Sequence, residues 1–280
     1  MTQTQQSLEK DTATQSPLSE SPHQVDSLSS LITTAESFVK HHFANHDPSH
    51  DWHHVHRVRL FALHLSRDPA LPSPPNLLIL ELAALFHDMC DRKYLPSGPS
   101  ASAGASAPNA HNVLAPFFDD EAITHSGLVT PQQRATIERI VDNVSWSKDE
   151  ARRRLRAQGD SPPPDELTQW QRTTPEFQCV SDSDRLDAIG SIGILRAAAY
   201  SAVKGGPLHI PPNNPANDSV PPAEQAQGYN GSTIAHFHDK LLRIRGDRLW
   251  TDWAREEAER RQGMVCTTRN TQCVTDWSSC

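Results

Sequence analysis

Histidines and aspartates, which bind divalent cations through imidazole nitrogens and carboxylate oxygens, concentrate in three separated stretches of this sequence. The first reads HDWHHVHRV over residues 50–58, the second HDMCD over residues 87–91, and the third SDSDRLDA over residues 181–188. The pair His87-Asp88 alone proves little, because the same two residues can simply end a helix. Together, the three stretches supply a mixed nitrogen and oxygen ligand set, which points to metal chemistry.

The hydrophobic pattern predicts that these stretches lie on or beside helices. Apolar residues recur at three- and four-residue steps over residues 31–43 and again after residue 49 to about residue 68, which predicts two amphipathic helices. Asn76 is a predicted N-cap for a third helix over residues 77–89, which is apolar nearly all round and should therefore be buried. The end of this helix would carry His87-Asp88 out of the core.

Further helices are predicted downstream. Residues 130–133 combine a threonine N-cap, a proline at the first helical position and a glutamine capping-box partner. Residues 177–200 predict one long helix, in which Gly190 and Gly193 would permit close packing. A last helix is predicted over residues 232–244. Because no stretch shows the apolar alternation of a strand, the predicted fold class is all-α.

Composition predicts one helical domain with irregular ends. Residues 1–28 are rich in glutamine, threonine, serine and proline, which predicts a disordered leader before a domain at 29–262. Two stretches within it, 96–110 and 204–228, are rich in small residues, proline or asparagine and are predicted to be flexible loops. Residues 263–280 lack an apolar period and are predicted to form an atypical C-terminal tail.

Charge, hydropathy and cysteine content narrow the class of partner. The net charge of -8 gives no sign of binding to a nucleic-acid polymer, and no apolar run reaches the roughly 18 residues of a membrane helix. The five cysteines form no close pairs, which suits a reducing compartment. We therefore expect a cytoplasmic protein with a small-molecule partner; its oligomeric state is left open.

The ordered motifs resemble the HD superfamily of metal-dependent phosphohydrolases, and most closely its small single-domain bacterial and fungal branch. The likeness rests on residues 50–58, 87–91 and 182–190, and it spans about residues 30–260. It implies an HD-domain helical bundle with the metal site in its core. One divalent cation, Mn²⁺, Fe²⁺, Co²⁺ or Mg²⁺, would be held by His54, His87, Asp88 and Asp184.

The same resemblance implies hydrolysis of a small phosphate ester, with a nucleotide as the first candidate, by phosphomonoester cleavage or by pyrophosphate release from a triphosphate. The cation would polarise a phosphoryl oxygen and activate water. Arg57, Lys93 and Arg185 lie beside the ligand stretches and are predicted to bind phosphate, although Arg185 could brace Asp184 instead. The predicted general acid or base is Asp91 or Asp187; for either, hydrogen bonding to the ligands is the alternative.

Two alternative functions remain open at this point. HD-fold di-iron oxygenases need additional histidines before the last aspartate, whereas this chain reads DNVSW over residues 142–146, so only His111 or His125 could supply them. A non-catalytic protein that binds a metal or nucleotide is the second alternative. His50 could also reach the metal from one turn before His54, although a structural role beside Asp51 is favoured.

Overall fold

The computed structural model describes residues 22–90, 109–158, 165–210 and 230–270. Every regular element in those ranges is a helix, which confirms the predicted all-α class. The first six helices are α1 Pro22–His42, α2 Trp52–Leu65, α3 Leu77–Phe86, α4 Ala110–Phe118, α5 Glu121–Ser126 and α6 Pro131–Asn143. The next six are α7 Trp146–Gln158, α8 Glu166–Thr173, α9 Pro175–Asp187, α10 Gly190–Val203, α11 Thr233–Asp239 and α12 Asp252–Asn270. Two short 3₁₀ turns, Leu241–Arg243 and Gly246–Arg248, lie between α11 and α12.

Helix α3 occupies the centre of the bundle, where it contacts α1, α2, α6 and α9. Its residues from Leu80 to Phe86 are buried except for Glu81, as an all-round apolar sequence predicts. Burial of each large apolar side chain stabilises the fold by about 1.5–3 kcal/mol. The predicted N-cap is confirmed, because the Asn76 side chain accepts a hydrogen bond from the backbone N–H of Ile79 at 3.1 Å.

The predicted start of α6 is also confirmed. The backbone N–H of Gln133 donates to the Thr130 hydroxyl at 3.2 Å, and the backbone N–H of Thr130 donates to the Gln133 side chain at 2.9 Å. Pro131 occupies the first helical position, where its missing N–H costs nothing. These reciprocal bonds satisfy two N–H groups that a helix terminus otherwise leaves unpaired.

The prediction of one helix over residues 177–200 is wrong, because the chain bends between α9 and α10. The two helices meet at 70°, and only together do they have the length and hydropathy of a membrane span; no single helix in the described ranges does. Gly190 has a φ of 74°, in the left-handed region that suits glycine. A Cβ on Gly193 would lie 2.2 Å from the carbonyl oxygen of Ala188, so these glycines permit the bend.

Several boundaries differ from those predicted. Helix α1 begins inside the predicted leader 1–28, and α12 continues to Asn270, beyond the predicted start of the tail at residue 263. Val265 is fully buried there, a tertiary contact that the linear pattern does not reveal. Ala110, the last residue of the predicted loop 96–110, starts α4, and the predicted helix 232–244 ends early, at Asp239. The division into leader, domain and tail stays a prediction.

Candidate metal centre

The structure brings two histidines and two aspartates together between α2, α3 and α9. The Nε2 atoms of His54 and His87 lie 3.2 Å apart. Asp88 Oδ2 lies 3.4 Å from the Nε2 of His54 and 3.9 Å from that of His87. Asp184 Oδ1 lies 3.7 Å and 3.9 Å from the same two nitrogens. His54, His87 and Asp88 therefore form one compact group of ligand atoms, and Asp184 lies beside its two nitrogens, so the side chains come together from three separate segments.

Local structure fixes the approach of each imidazole. Asp51 is the N-cap of α2, and its carboxylate accepts the backbone N–H of His54 at 2.9 Å, which sets the first turn of the helix that carries this ligand. His87 is the C-cap of α3, directly after its last residue, and its Nδ1 lies 2.8 Å from the Ala84 carbonyl oxygen. Both imidazole side chains are fully buried, so their orientations are held by packing.

The hydrogen bonds of the two imidazoles indicate that a cation fits between them. A carbonyl oxygen can only accept, so Nδ1 of His87 must donate to Ala84. Nδ1 of His54 likewise lies 2.8 Å from the Asp187 carboxylate and donates to it. In the neutral imidazoles both Nε2 atoms then present lone pairs to each other, an arrangement that a bound cation would satisfy.

The spacing and the charge of the four groups also suit a divalent cation. Metal bonds of about 2.0–2.2 Å place neighbouring ligand atoms about 3.0–3.5 Å apart, close to the observed separations. Asp88 and Asp184 add two carboxylate oxygens beside the two imidazole nitrogens, which gives the group the mixed nitrogen and oxygen character that divalent cations bind. The Asp88 and Asp184 side chains remain about one fifth exposed, which leaves the site open on the carboxylate side.

Asp187, a predicted general acid or base, lies behind His54 and is occupied by hydrogen bonds. Its Oδ1 accepts from Arg57 Nε at 2.7 Å. Its Oδ2 accepts from His54 Nδ1 at 2.8 Å and from both Arg57 Nη2 and Arg196 Nη1 at 3.0 Å. Four hydrogen bonds therefore reach this carboxylate, three of them at Oδ2. Burial would raise the pKa of Asp187, but the bonds from His54 and Arg57 hold it far below its usual value, so this residue orients His54 and is a poor proton carrier.

The two predicted phosphate-binding arginines that the structure describes are both engaged elsewhere. Arg57 binds Asp187 through two nitrogens. Arg185 donates from Nη1 to the Arg248 carbonyl oxygen at 2.5 Å and from Nη2 to Asp149 at 3.3 Å, and its side chain is 4% exposed. Successive helical residues point about 100° apart, so Arg185 faces away from the side of α9 that carries the metal ligand. In this position, Arg185 is directed neither toward a phosphate at the metal centre nor toward Asp184, which it was predicted to brace as an alternative.

The remaining candidates divide into two groups. Asp91 and Lys93 lie outside the described residues, so their roles stay predictions. His50 lies beside the centre, with its ring centroid 6.0 Å from that of His54 and its Nδ1 2.7 Å from the Ser49 hydroxyl.

The histidines that a di-iron site would need do not join the centre. His111 lies 3.2 Å from Glu138, and Nδ1 of His125 contacts the Glu121 carbonyl oxygen. Among the described residues, the metal-binding group formed by closely spaced ligand atoms contains His54, His87 and Asp88 but neither of these two residues.

Sequence reasoning missed Arg196, which contacts Asp187 and the segment before α2. Asp187 and Arg196 lie nine positions apart. In one continuous helix such residues lie on opposite faces, about 13.5 Å apart along the axis. A prediction that treated α9 and α10 as one helix could not bring them together. The two glycines at the bend were the available signal.

The chain is similar in sequence and in structure to several known bacterial proteins. No protein-family model matches the sequence. The uncharacterized protein YpgQ of Bacillus subtilis is 28% identical over 229 residues, which cover 82% of this chain and 85% of YpgQ. The crystal structure of YpgQ in complex with ADP matches with a TM-score of 0.53 and 25% identity, over 90% of this chain and 98% of that one. A crystal structure of an HD-superfamily hydrolase from Bacillus thuringiensis matches with a TM-score of 0.56 and 24% identity, over 90% and 100% of the respective chains.

Proposed function

We propose that this chain, which has the fold of the HD superfamily, is a metal-dependent phosphohydrolase that acts on a small phosphate ester, with a nucleotide as the first candidate. The observation that carries the proposal is the pair of Nε2 atoms of His54 and His87, 3.2 Å apart and beside two carboxylates. A site of two imidazoles and two carboxylates suits Mn²⁺, Fe²⁺, Co²⁺ or Mg²⁺, and we propose that it holds one such cation.

The relatives support both parts of this proposal. One structural neighbour is named as an HD-superfamily hydrolase, which favours hydrolysis over binding alone. The structure of YpgQ was determined with ADP, which favours a nucleotide ligand for a chain similar over most of its length. The substrate itself and the bond that is cleaved remain part of the proposal.

In this proposal, the buried side of the centre holds the cation and the partly exposed side admits the substrate. A divalent cation bound here would polarise a phosphoryl oxygen and lower the pKa of a water molecule. The buried imidazoles would hold it from the protein interior, and Asp187 would keep His54 Nε2 pointed at it. Substrate would approach from the side of Asp88 and Asp184, whose carboxylates remain partly exposed.

Phosphate binding and proton transfer need groups beyond the ligands. Arg57 is committed to Asp187, and Arg185 is buried against α7, so Lys93 is the remaining predicted cation for the phosphate. Asp91 is likewise the remaining candidate for the general acid or base, because Asp187 lies behind His54 and is engaged by His54, Arg57 and Arg196. Both assignments are proposals.

The same proposal places the protein in the cytoplasm, with a small molecule as its partner. Cys90, Cys179 and Cys266 are free thiols in the structure, which agrees with a reducing compartment. The oxygenase alternative loses support, because His111 and His125 lie outside the metal-binding group.

The test uses the full chain, stripped of metal and reloaded singly with Mn²⁺, Mg²⁺, Co²⁺ or Fe²⁺. Nucleoside mono-, di- and triphosphates are supplied, and released phosphate and pyrophosphate are measured separately. We expect metal-dependent release that Asp88→Ala abolishes and Asp252→Ala retains, since Asp252 is 68% exposed on α12 and pairs with Arg255, away from the metal centre. Metal binding without any release would instead support the non-catalytic binding role.

A further inference from the structure

We infer that Arg196 is a positioning residue of the proposed metal centre. The bend between α9 and α10 brings its side chain to Asp187 and to the segment before α2. The inference rests on the cation site of the proposed function but not on the reaction. Among the described residues, the hydrogen bonds of Arg196 reach Asp187 and the backbone before α2 and none of the four proposed ligands, so Arg196 acts through those two partners.

The first contact of Arg196 is with the residue that orients His54. Arg196 Nη1 donates to the Asp187 carboxylate at 3.0 Å and to the Asp187 carbonyl oxygen at 3.2 Å. That carbonyl belongs to the last residue of α9 and has no partner within its own helix. One guanidinium nitrogen therefore fixes both the backbone and the side chain of Asp187, whose Oδ2 also accepts from His54 Nδ1.

The second contact holds the entry to α2. Arg196 Nε donates to the Ser49 carbonyl oxygen at 2.6 Å. Ser49 is buried and donates its hydroxyl and its backbone N–H to Asp47, while its hydroxyl also contacts His50. Arg196 thus joins the end of α9, which carries Asp184, to the start of α2, which carries His54. It sets the distance between ligands that come from two different helices.

The bend is what makes both contacts possible. Residues nine apart in a straight helix point in opposite directions, so a continuous α9–α10 helix would carry Arg196 away from Asp187. The 70° turn brings α10 back over the end of α9. The left-handed φ of Gly190 and the absence of a side chain at Gly193, where a Cβ would meet the Ala188 carbonyl oxygen at 2.2 Å, allow this turn.

Arg57 and Arg196 hold the same carboxylate but differ in what else they touch. Within the described part of the chain, Arg57 donates its hydrogen bonds to the side chain of Asp187, and its own side chain is 31% exposed. Arg196 is 11% exposed and also binds two backbone carbonyls from different segments. Loss of Arg57 would therefore loosen one side chain, whereas loss of Arg196 would loosen the arrangement of two ligand-bearing helices.

The experiment measures metal binding directly, by calorimetric titration of Mn²⁺ into the metal-stripped full chain. We expect Arg196→Gln to weaken Mn²⁺ binding by about 10- to 100-fold, as loss of partners behind metal ligands does. Arg196→Lys, which keeps the charge and one hydrogen bond, should bind with intermediate affinity. Gly193→Ala should weaken binding in the same direction, because the added Cβ displaces the bend.

Arg59→Gln is the matched control. Like Arg196, Arg59 is a largely buried arginine that binds carboxylates: it lies on α2, is 15% exposed and binds Glu36 and Glu81, away from the centre. We expect its removal to lower the melting temperature but not the Mn²⁺ affinity. A second readout is the absorption spectrum of the Co²⁺ form, which should change for Arg196→Lys and Arg196→Gln and stay unchanged for Arg59→Gln.

The outcomes separate this inference from the proposed function. If folded Arg196→Lys and Arg196→Gln bind Mn²⁺ as tightly as the parent chain, with the same Co²⁺ spectrum, the positioning role is overturned. If the variants lose affinity while the parent binds metal but hydrolyses no phosphate ester, the positioning role stands and the proposed reaction fails. If the parent chain binds no divalent cation, both proposals fail.

Discussion

The Nε2 atoms of His54 and His87 face each other at 3.2 Å, although neither neutral imidazole has a proton there to share. Their Nδ1 protons are committed to Asp187 and to the Ala84 carbonyl oxygen. When both imidazoles are neutral, two lone pairs face each other beside two carboxylates. The centre is therefore preorganised for a positive ion, and its properties should depend strongly on whether one is bound.

Metal binding should stabilise the folded chain. A cation that binds only the native state at 100 times its dissociation constant adds about 2.7 kcal/mol to the free energy of unfolding. We expect Mn²⁺ to raise the melting temperature of the stripped protein, and we expect chelation to reverse the effect. The same titration on His87→Ala should give no shift. A shift of equal size in that variant would place the bound metal elsewhere.

Replacement of Asp187 by asparagine distinguishes an orienting role from proton transfer. Asp187→Asn keeps the shape but weakens the acceptor for His54 Nδ1, so Mn²⁺ affinity should fall by about 10- to 100-fold. If Asp187 only orients the imidazole, kcat at saturating Mn²⁺ should recover to within about tenfold of the parent value. A kcat that stays abolished at saturating metal would return the general acid or base role to this residue.

Arg185 should matter for stability and not for substrate binding. Its guanidinium is buried against Asp149 and the Arg248 carbonyl oxygen, and removal of one partner from a buried ion pair costs about 3 kcal/mol. We expect Arg185→Gln to lower the urea midpoint and to leave KM unchanged. A raised KM with normal stability would support the original prediction that this arginine binds phosphate.

Glu257 should contribute to stability in a pH-dependent way. Hydrogen bonds from Arg260 and then Arg261 outweigh burial and lower the pKa of Glu257 to about 2, from 4.5 in an unfolded chain. A carboxylate whose pKa falls on folding stabilises the native state above the unfolded pKa, and this stabilisation is lost as the pH falls from about 4.5 to about 2.

Urea unfolding of Glu257→Gln at several pH values provides the measurement for this effect. The parent chain should be the more stable of the two at pH 7, and the difference should shrink steadily at acidic pH. A difference that stays constant from pH 7 to pH 3 would show that the ion pairs on α12 carry no stability of this kind.

The extent to which sequence predicts this structure depends on the range of the interaction. The all-round apolar run of α3 and the cap at Asn76 are local, so both could be predicted and are confirmed. The convergence of His54 with Asp184 is not local and was expected only from the resemblance to a known family. Periodicity could not show it, because the pattern within one helix does not fix the orientation of another.

The failures at the bend and around the metal centre share one physical origin, which is the relative direction and rotation of neighbouring helices. Apolar periodicity continues across Ala188 and Ile189, so the sequence favours one helix although the backbone turns there. The rotation of α9 about its own axis decides that Asp184 enters the centre while Arg185 enters an ion-pair cluster with Asp149. The rotation of a helix about its axis is set by packing across the whole bundle, so a short segment of sequence does not determine it.

The turn between α9 and α10 also limits how this chain can change in length. Each residue inserted into or deleted from a helix rotates everything beyond it by about 100° and shifts it by about 1.5 Å. A single insertion between Gly193 and Arg196 would therefore swing the guanidinium away from both Asp187 and Ser49. The number of residues from Asp187 to Arg196 is therefore constrained by the contacts at both ends. Related sequences that keep a working metal centre should keep this separation of nine positions.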